Sequence, residues 1–171
     1  MIRIVPLAQI AADEVEALLD RAFGPGRVAR TAYRVRTGTQ ALADLSFAAL
    51  AQDGALLGSI QCWPVALACD DGRRVAMVMV GPVAVEPAVQ QGGIGRLLMR
   101  RMLEAADHAA EPLPLMLIGD PDYYGRFFGF DAAKTGRWRL PGPFERHRLL
   151  ARGAAVPDCA GELQPRLLAT V

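Results

Sequence analysis

The sequence predicts a mixed α/β fold: one central, mostly antiparallel sheet flanked by helices. Three successive apolar runs, Leu45 to Ala51, Ala55 to Ala68 and Arg74 to Val85, are joined by Gln52-Asp53-Gly54 and Asp70-Asp71-Gly72. Short connections ending in glycine predict antiparallel neighbours. The third run reaches a proline and a glycine-rich turn, after which residues from Ile94 onward have helical spacing. A four-residue apolar run, Leu115 to Ile118, follows that helix and predicts a buried parallel strand.

The length, 171 residues, suits a single domain with a real core, expected to span residues 1–171 with its motifs in about the first 150 and residues 151–171 as a loosely packed C-terminal tail. Hydrophobic residues are 52% and charged residues 22%, which excludes a disordered chain. A formal net charge of +1 gives no bulk field to recruit nucleic acid or an anionic membrane, so any anion site must be local. Met1 to Pro6 lacks the apolar core and cleavage site of a signal peptide, and no run is long enough to span a membrane; a cytoplasmic protein is expected. Cys62, Cys69 and Cys159 are odd in number and lack metal-ligand spacing, so reduced thiols and no metal are expected, with only His108 and His147 besides. The composition suits a monomer or a homodimer.

Along the chain, Met1 to Pro6 reads as a first strand. Ile10, Val15, Leu18, Leu19 and Ala22 then fall on one helical face, and Phe23-Gly24-Pro25-Gly26 ends that helix. Arg27 to Gly38, with Arg27, Arg30, Arg34, Arg36 and Tyr33, is either a solvated second helix or a basic lip over an acidic ligand. Gly81 and Pro82 interrupt the third apolar run. The strand either ends at Val80 and restarts, or its pairing breaks there and frees the main-chain groups of Val83, Ala84 and Val85. Ile94, Leu98, Met102, Ala105 and Ala109 give the next helix its apolar face, and His108 lies on its outer side. Gly119-Asp120-Pro121-Asp122 supplies caps for a short helix bearing Tyr123 and Tyr124. Two short strands around Pro141-Gly142-Pro143 complete the pattern.

The loop between the third strand and its helix points to chemistry. Gly92, Gly93 and Gly95 leave the backbone open to a bulky ligand. The helix that follows offers unpartnered N–H groups and a positive dipole end, which suits a phosphate or pyrophosphate, and Arg96 adds a charged fork. A P-loop is excluded because no Gly-Lys-Ser/Thr follows. The dinucleotide fingerprint fails as well, since Leu98 stands where its third glycine belongs.

What matches is Q-x-x-G-x-G, carried by Gln90, Gly93 and Gly95 behind V-x-P at Val85 to Pro87. It resembles the coenzyme A pyrophosphate loop of the GNAT superfamily of N-acetyltransferases. The segment Tyr123 to Phe130 resembles that family's aromatic-Tyr and Gly-Phe signature, and the order of elements from residue 1 to about 150 is similar to the family's. The resemblance implies a sheet with a splayed parallel strand pair that binds coenzyme A. It implies acetyl-CoA as co-substrate, bound along Val83, Ala84 and Val85 and by Gln90, Gln91, Gly92, Gly93, Ile94, Gly95 and Arg96. It also implies a tyrosine, Tyr124 or alternatively Tyr123, that protonates the departing thiolate. Four residues separate Tyr124 from Gly129, one more than the family's usual spacing, so either a π-type bulge absorbs the extra residue or Tyr123 takes the role.

Direct attack by a neutral amine on a thioester requires no Ser or Cys nucleophile, only positioning, a polarised carbonyl and management of two protons. Glu86 and Asp120 are the carboxylates near the expected site; Glu86 is a candidate general base, and either could instead cap a loop. The implied activity is N-acetyltransfer from acetyl-CoA to a primary amine of a small molecule or protein. The alternative is a non-catalytic acyl-CoA-binding sensor or assembly module of the same fold.

Overall fold

The computed structural model describes residues 1–169. Among the described residues, eight strands and four α-helices follow in the order β1 (Arg3–Pro6), α1 (Ala12–Phe23), α2 (Thr31–Val35), β2 (Phe47–Leu50), β3 (Leu56–Cys69), β4 (Arg74–Val85), α3 (Ile94–Asp107), β5 (Leu115–Ile118), α4 (Pro121–Phe128), β6 (Trp138–Arg139), β7 (Leu149–Arg152) and β8 (Gly161–Pro165). Hydrogen bonding connects the strands as β1-β2-β3-β4-β5-β7, with β8 on β3 and β6 on β8. The sheet is mostly antiparallel; β4 with β5 and β6 with β8 run parallel. No described helix is long and apolar enough to cross a membrane.

The chain divides into two compact units, each taken from three segments: residues 1–28, 41–62 and 81–112, and residues 29–40, 63–80 and 113–171. The long strands β3 and β4 contribute to both.

In the first unit, α1 lays Val15, Leu18 and Leu19 against Val5, Ala48, Leu50 and Ala84. Each such burial is worth about 1.5–3 kcal/mol. The α1 C-terminus is closed by Gly24 at φ 85°, whose N–H reaches Asp20 O. Arg27 differs from expectation: it belongs neither to a solvated helix nor to a basic lip. It is buried and pairs with Glu16 and Asp20, one turn apart on α1. The β2–β3 hairpin closes as expected, with Gly54 at φ 89° and the Asp53 carboxylate accepting from Ala55 N–H.

Helix α3 begins at Ile94 as its spacing predicts, but its buried face is rotated. Ile94, Leu98, Met99, Met102, Leu103 and Ala106 face inward, whereas Ala105 is half-buried and Ala109 is exposed. A globular helix buries a stripe more than 100° wide, and two adjacent i, i+4 rows fill that stripe where one row was expected.

In the second unit, β5 pairs with β4 through Val78↔Leu115 and Met79↔Met116 and continues against β7 as far as Ile118↔Leu149. The C-terminal segment is the main correction to the sequence reading. Residues 151–171 were expected to form a loose tail; instead β8 pairs with Val65 to Cys69, Leu163 is fully buried, and Arg166 donates to Val65 O and Met77 O. Residues 170 and 171 of that expected tail lie outside the described residues. The β8 partner lies about a hundred residues away in sequence, so local periodicity carries no sign of it. β6 and β7 likewise take separate partners, β8 and β5.

Cys69 and Cys159 form a disulfide, with Cα atoms 6.1 Å apart, which corrects the expectation of three reduced thiols; Cys62 alone is free and is buried. The bond joins residues 90 apart and ties the approach to β8 onto the end of β3. In oxidising buffer, Cys159→Ser should lower the thermal midpoint by the equivalent of about 2–4 kcal/mol. Dithiothreitol should bring the wild-type protein down to the variant's midpoint; identical midpoints without reductant would show that the pair is not bonded in solution.

Candidate active site

β4 runs unbroken through Gly81 and Pro82, so the strand does not restart. Gly81 has φ 120°, a conformation open to glycine, and the Gly81-Pro82 peptide is cis. Beyond it, side chains alternate. Ala84 is fully buried in the α1 cluster, whereas Val83 and Val85 are half-buried and turn toward α3.

Helix α3 approaches this strand end through two positions that lack side chains. A Cβ on Gly95 would lie 3.8 Å from Val85 Cγ2 and 3.9 Å from Val83 Cγ1. A Cβ on Gly58 of β3 would lie 2.8 Å from Ile94 Cγ2, 3.0 Å from Ala84 O and 3.1 Å from Leu98 Cδ1. Gly58 therefore seats α3 on the sheet. The sequence reading missed it, although a glycine inside an apolar strand is the usual signal of close approach.

The loop before α3 is a 3₁₀ turn, Pro87–Gly92, and Gly93 at φ 77° and ψ 12° serves as the N-cap. No side chain caps the first turn of α3 and no carboxylate lies in it. The other two helices of comparable length differ: α1 carries Asp13 and Glu14 in its first turn, and α4 carries Asp122 with Asp120 capping through Asp122 N–H. Carboxylates complement the dipole ends of α1 and α4, and the first turn of α3 has none. Gln90, exposed, turns back to donate to Val85 O at 3.4 Å and so ties the loop to the strand end. Gln91, Gly92 and Arg96 are exposed and Ile94 is buried as the anchor.

Glu86 follows directly on the strand. Both of its carboxylate oxygens take Arg21 Nε, at 2.9 and 3.2 Å, and Arg21 Nη2 lies 2.8 Å from Oε2. This forked pair fastens the strand end to α1, and no sequence pattern had indicated Arg21. The Cys62 thiol is buried and pushed well above its ordinary range, mainly by loss of solvation, which leaves it inert as a nucleophile.

The tyrosines belong to the second unit. α4 is a regular α-helix, so no π-type bulge absorbs the extra residue before Gly129. Tyr124 lies across Gly119 at the end of β5: a Cβ on Gly119 would come 2.5 Å from Tyr124 Cε2. Its hydroxyl is pushed up to about 12, first by desolvation and then by Tyr123, with Arg148 acting in the opposite direction. Tyr123, one residue earlier and 100° round the helix, instead lines a surface depression with Pro121, Asp122, Gly125, Arg126 and Phe127. Asp120 is the α4 N-cap, the loop-capping role.

The family's sequence model, an acetyltransferase (GNAT) domain, matches residues 3–133. The chain belongs to the GNAT acetyltransferase family. Solved structures agree on the fold. A GNAT family N-acetyltransferase, YhbS of Escherichia coli, determined in complex with CoA, is 23% identical; the alignment covers 97% of this chain and 89% of that one with a TM-score of 0.70. A GNAT family acetyltransferase from Brucella melitensis in complex with acetyl-CoA is 25% identical over 97% and 96% of the two chains, with a TM-score of 0.63. No curated protein matches the sequence.

Burial disfavours the phenolate of Tyr124, so its proton is retained throughout the neutral range and lost only as pH rises toward about 12. A titration followed by ¹³Cζ tyrosine resonances, with Tyr124→Phe for assignment, should leave this phenol un-ionised at pH 10.5. A midpoint near 10 would show that the ring is not shielded.

Proposed function

We propose that the protein is an acetyl-CoA-dependent N-acetyltransferase acting on a primary amine of a small molecule or protein. The observation that carries this reading is the α3 amino end: an uncapped, carboxylate-free first turn behind Gly92 and Gly93, joined to a strand end that lies beyond the β4–β5 pairs Val78↔Leu115 and Met79↔Met116. Family membership and neighbours solved with CoA or acetyl-CoA support it.

In this reading, residues 90–96 hold the pyrophosphate through α3 N–H groups and Arg96, and the main chain of Val83, Ala84 and Val85 pairs with the pantetheine and acetyl portion. The amine nitrogen attacks the thioester carbonyl; the N–C bond forms and the C–S bond breaks. The absence of a bulge in α4 would pass the role to Tyr123 on spacing alone, but Tyr123 lines a surface depression whereas Tyr124 lies against the end of β5, so Tyr124 is assigned as donor: it gives its proton to the departing thiolate, and the proton released by nitrogen passes to water. The Tyr124 phenol carries its proton across the neutral range, the form a donor must be in. Glu86, already held by Arg21, is assigned here to securing the strand end, and the base role is left to water.

Gly92 has an ordinary backbone conformation and open space around its Cα, so Gly92→Glu should fold normally while repelling a pyrophosphate. In calorimetry with acetyl-CoA this variant should lose binding by a hundredfold or more at unchanged thermal midpoint, on the order expected for like charges in a partly enclosed site. Undiminished affinity would place the coenzyme elsewhere.

Tyr124→Phe should lower kcat by roughly 10²–10³ in a thiol-release assay over a panel of primary amines, with acetyl-CoA affinity preserved. Binding without turnover of any amine by the wild-type protein would favour the sensor or assembly reading.

A further inference from the structure

Two polar atoms in the first unit meet no partner in the protein. Ser59 is fully buried and its Oγ lacks a hydrogen bond; Gln61 is 7% exposed and its Oε1 lacks one as well. Leaving a buried polar atom unmet costs on the order of 1–3 kcal/mol, and native interiors hold few such atoms. Both sit on one strand, β3, two residues apart, and so project from the same face.

Their place follows from the ladders. Val5 pairs with Ala48 and Ala48 with Ser59, and Val5 and Ala48 pack against α1, so Ser59 and Gln61 belong to the α1 face. Glu86 N–H donates to Leu57 O at 2.8 Å, and Gly81 N–H reaches the Cys62 thiol. Counting in opposite directions along the two antiparallel strands sets Ser59 opposite Ala84 and Gln61 opposite Pro82. The two unmet oxygens therefore adjoin the strand segment assigned to the acetyl group, on the face away from α3.

Resting on the function proposed above, we infer that Ser59 and Gln61 hold the nitrogen of the acceptor amine. A neutral primary amine has two N–H donors and one lone pair. Two oxygen acceptors that take the two donors leave the lone pair directed away from them, as attack on a carbonyl requires. Two hydrogen bonds of about 3 Å from one nitrogen span about 5 Å, less than the roughly 7 Å between side-chain origins two residues apart on a strand, a difference that the longer reach of the Gln61 side chain can close. The position is buried and neither group carries a charge to offset an ammonium, so desolvation favours the neutral amine. It also favours a primary amine over a secondary one, which can satisfy only one acceptor.

The test uses the full chain with acetyl-CoA and three amines: 2-phenylethylamine, spermidine and α-amino-blocked lysine amide. Gln61→Met and Ser59→Ala should each lower kcat/KM for the amine roughly tenfold or more, the loss of one such hydrogen bond. Acetyl-CoA affinity by calorimetry should stay within twofold, and the thermal midpoint should hold or rise by about 2 °C, since an unmet polar atom has been removed. A fall in midpoint with unchanged kcat/KM would identify a structural pair and overturn the inference. If none of the three amines is acetylated, a crystal structure of the wild-type acetyl-CoA complex soaked with 2-phenylethylamine decides. An amine nitrogen within hydrogen-bond reach of both oxygens supports the assignment; both side chains satisfied by protein atoms refutes it. Failure of the wild-type protein to bind acetyl-CoA would be visible before any variant is made, and would remove the proposed function and this inference together.

Discussion

The structure of the first unit depends on how closely α3 can approach the sheet. Its amino end must stand against the last residues of β4 and still present bare N–H groups, so the contact has to be made without side chains. Gly58 and Gly95 allow this, one on the strand beneath and one in the helix above. A methyl group at Gly58 would press on Ile94, Leu98 and the Ala84 carbonyl at once, and overpacking of that kind typically costs about 1–3 kcal/mol. The same close approach turns Val83 and Val85 toward the helix and leaves Ala84 to the α1 cluster. The two faces of one short strand segment are thereby given different neighbours.

Charge placement among the helices reinforces the arrangement. A carboxylate near a helix amino end ordinarily stabilises it by about 0.3–1 kcal/mol, and both α1 and α4 use one. α3 does without, and its N-cap is a left-handed glycine with no side chain to offer. Local stability is forgone at the one helix end that adjoins the half-exposed strand. Glu86, the carboxylate nearest in sequence, is held by Arg21 and so is turned to α1. Ser59 and Gln61 follow the same logic inside the core, where polar atoms stand unmet next to Ala84 and Pro82.

Much of this was legible in the sequence because it is written locally. Turn glycines at 54 and 72, the Ile94 helix start and the Asp120 cap follow from the chemistry of a few neighbouring residues, and the structure has them where the pattern predicts. Q-x-x-G-x-G marked the loop for the same reason. What escaped were long-range matters. The pairing of β8 with β3, the Cys69–Cys159 bond and the Arg21–Glu86 pair each join residues 65 or more apart, and no local periodicity encodes them. Gly58, Ser59 and Gln61 were overlooked for a different reason. In a strand buried on both faces, a hydrophobic run masks the few small or polar residues that break it.

The extra residue between Tyr124 and Gly129 is accommodated without a bulge, which fixes where each tyrosine ring falls. A bulge in α4 would have let the usual family count survive, yet the helix is regular and ends in a left-handed Gly129. The cap itself counts back from that glycine: Phe130 N–H bonds Tyr124 O, six residues earlier, and Gly129 N–H bonds Gly125 O. With the C-terminal end fixed by this pattern, the added residue lengthens the helix at its start. Tyr124 then falls over Gly119, where the absence of a side chain lets the ring lie against the end of β5. Tyr123 is carried 100° round to the outer surface. Had Gly119 been alanine, the ring could not have taken this position, so the environment that raises the phenol's pKa depends on a glycine five residues before it.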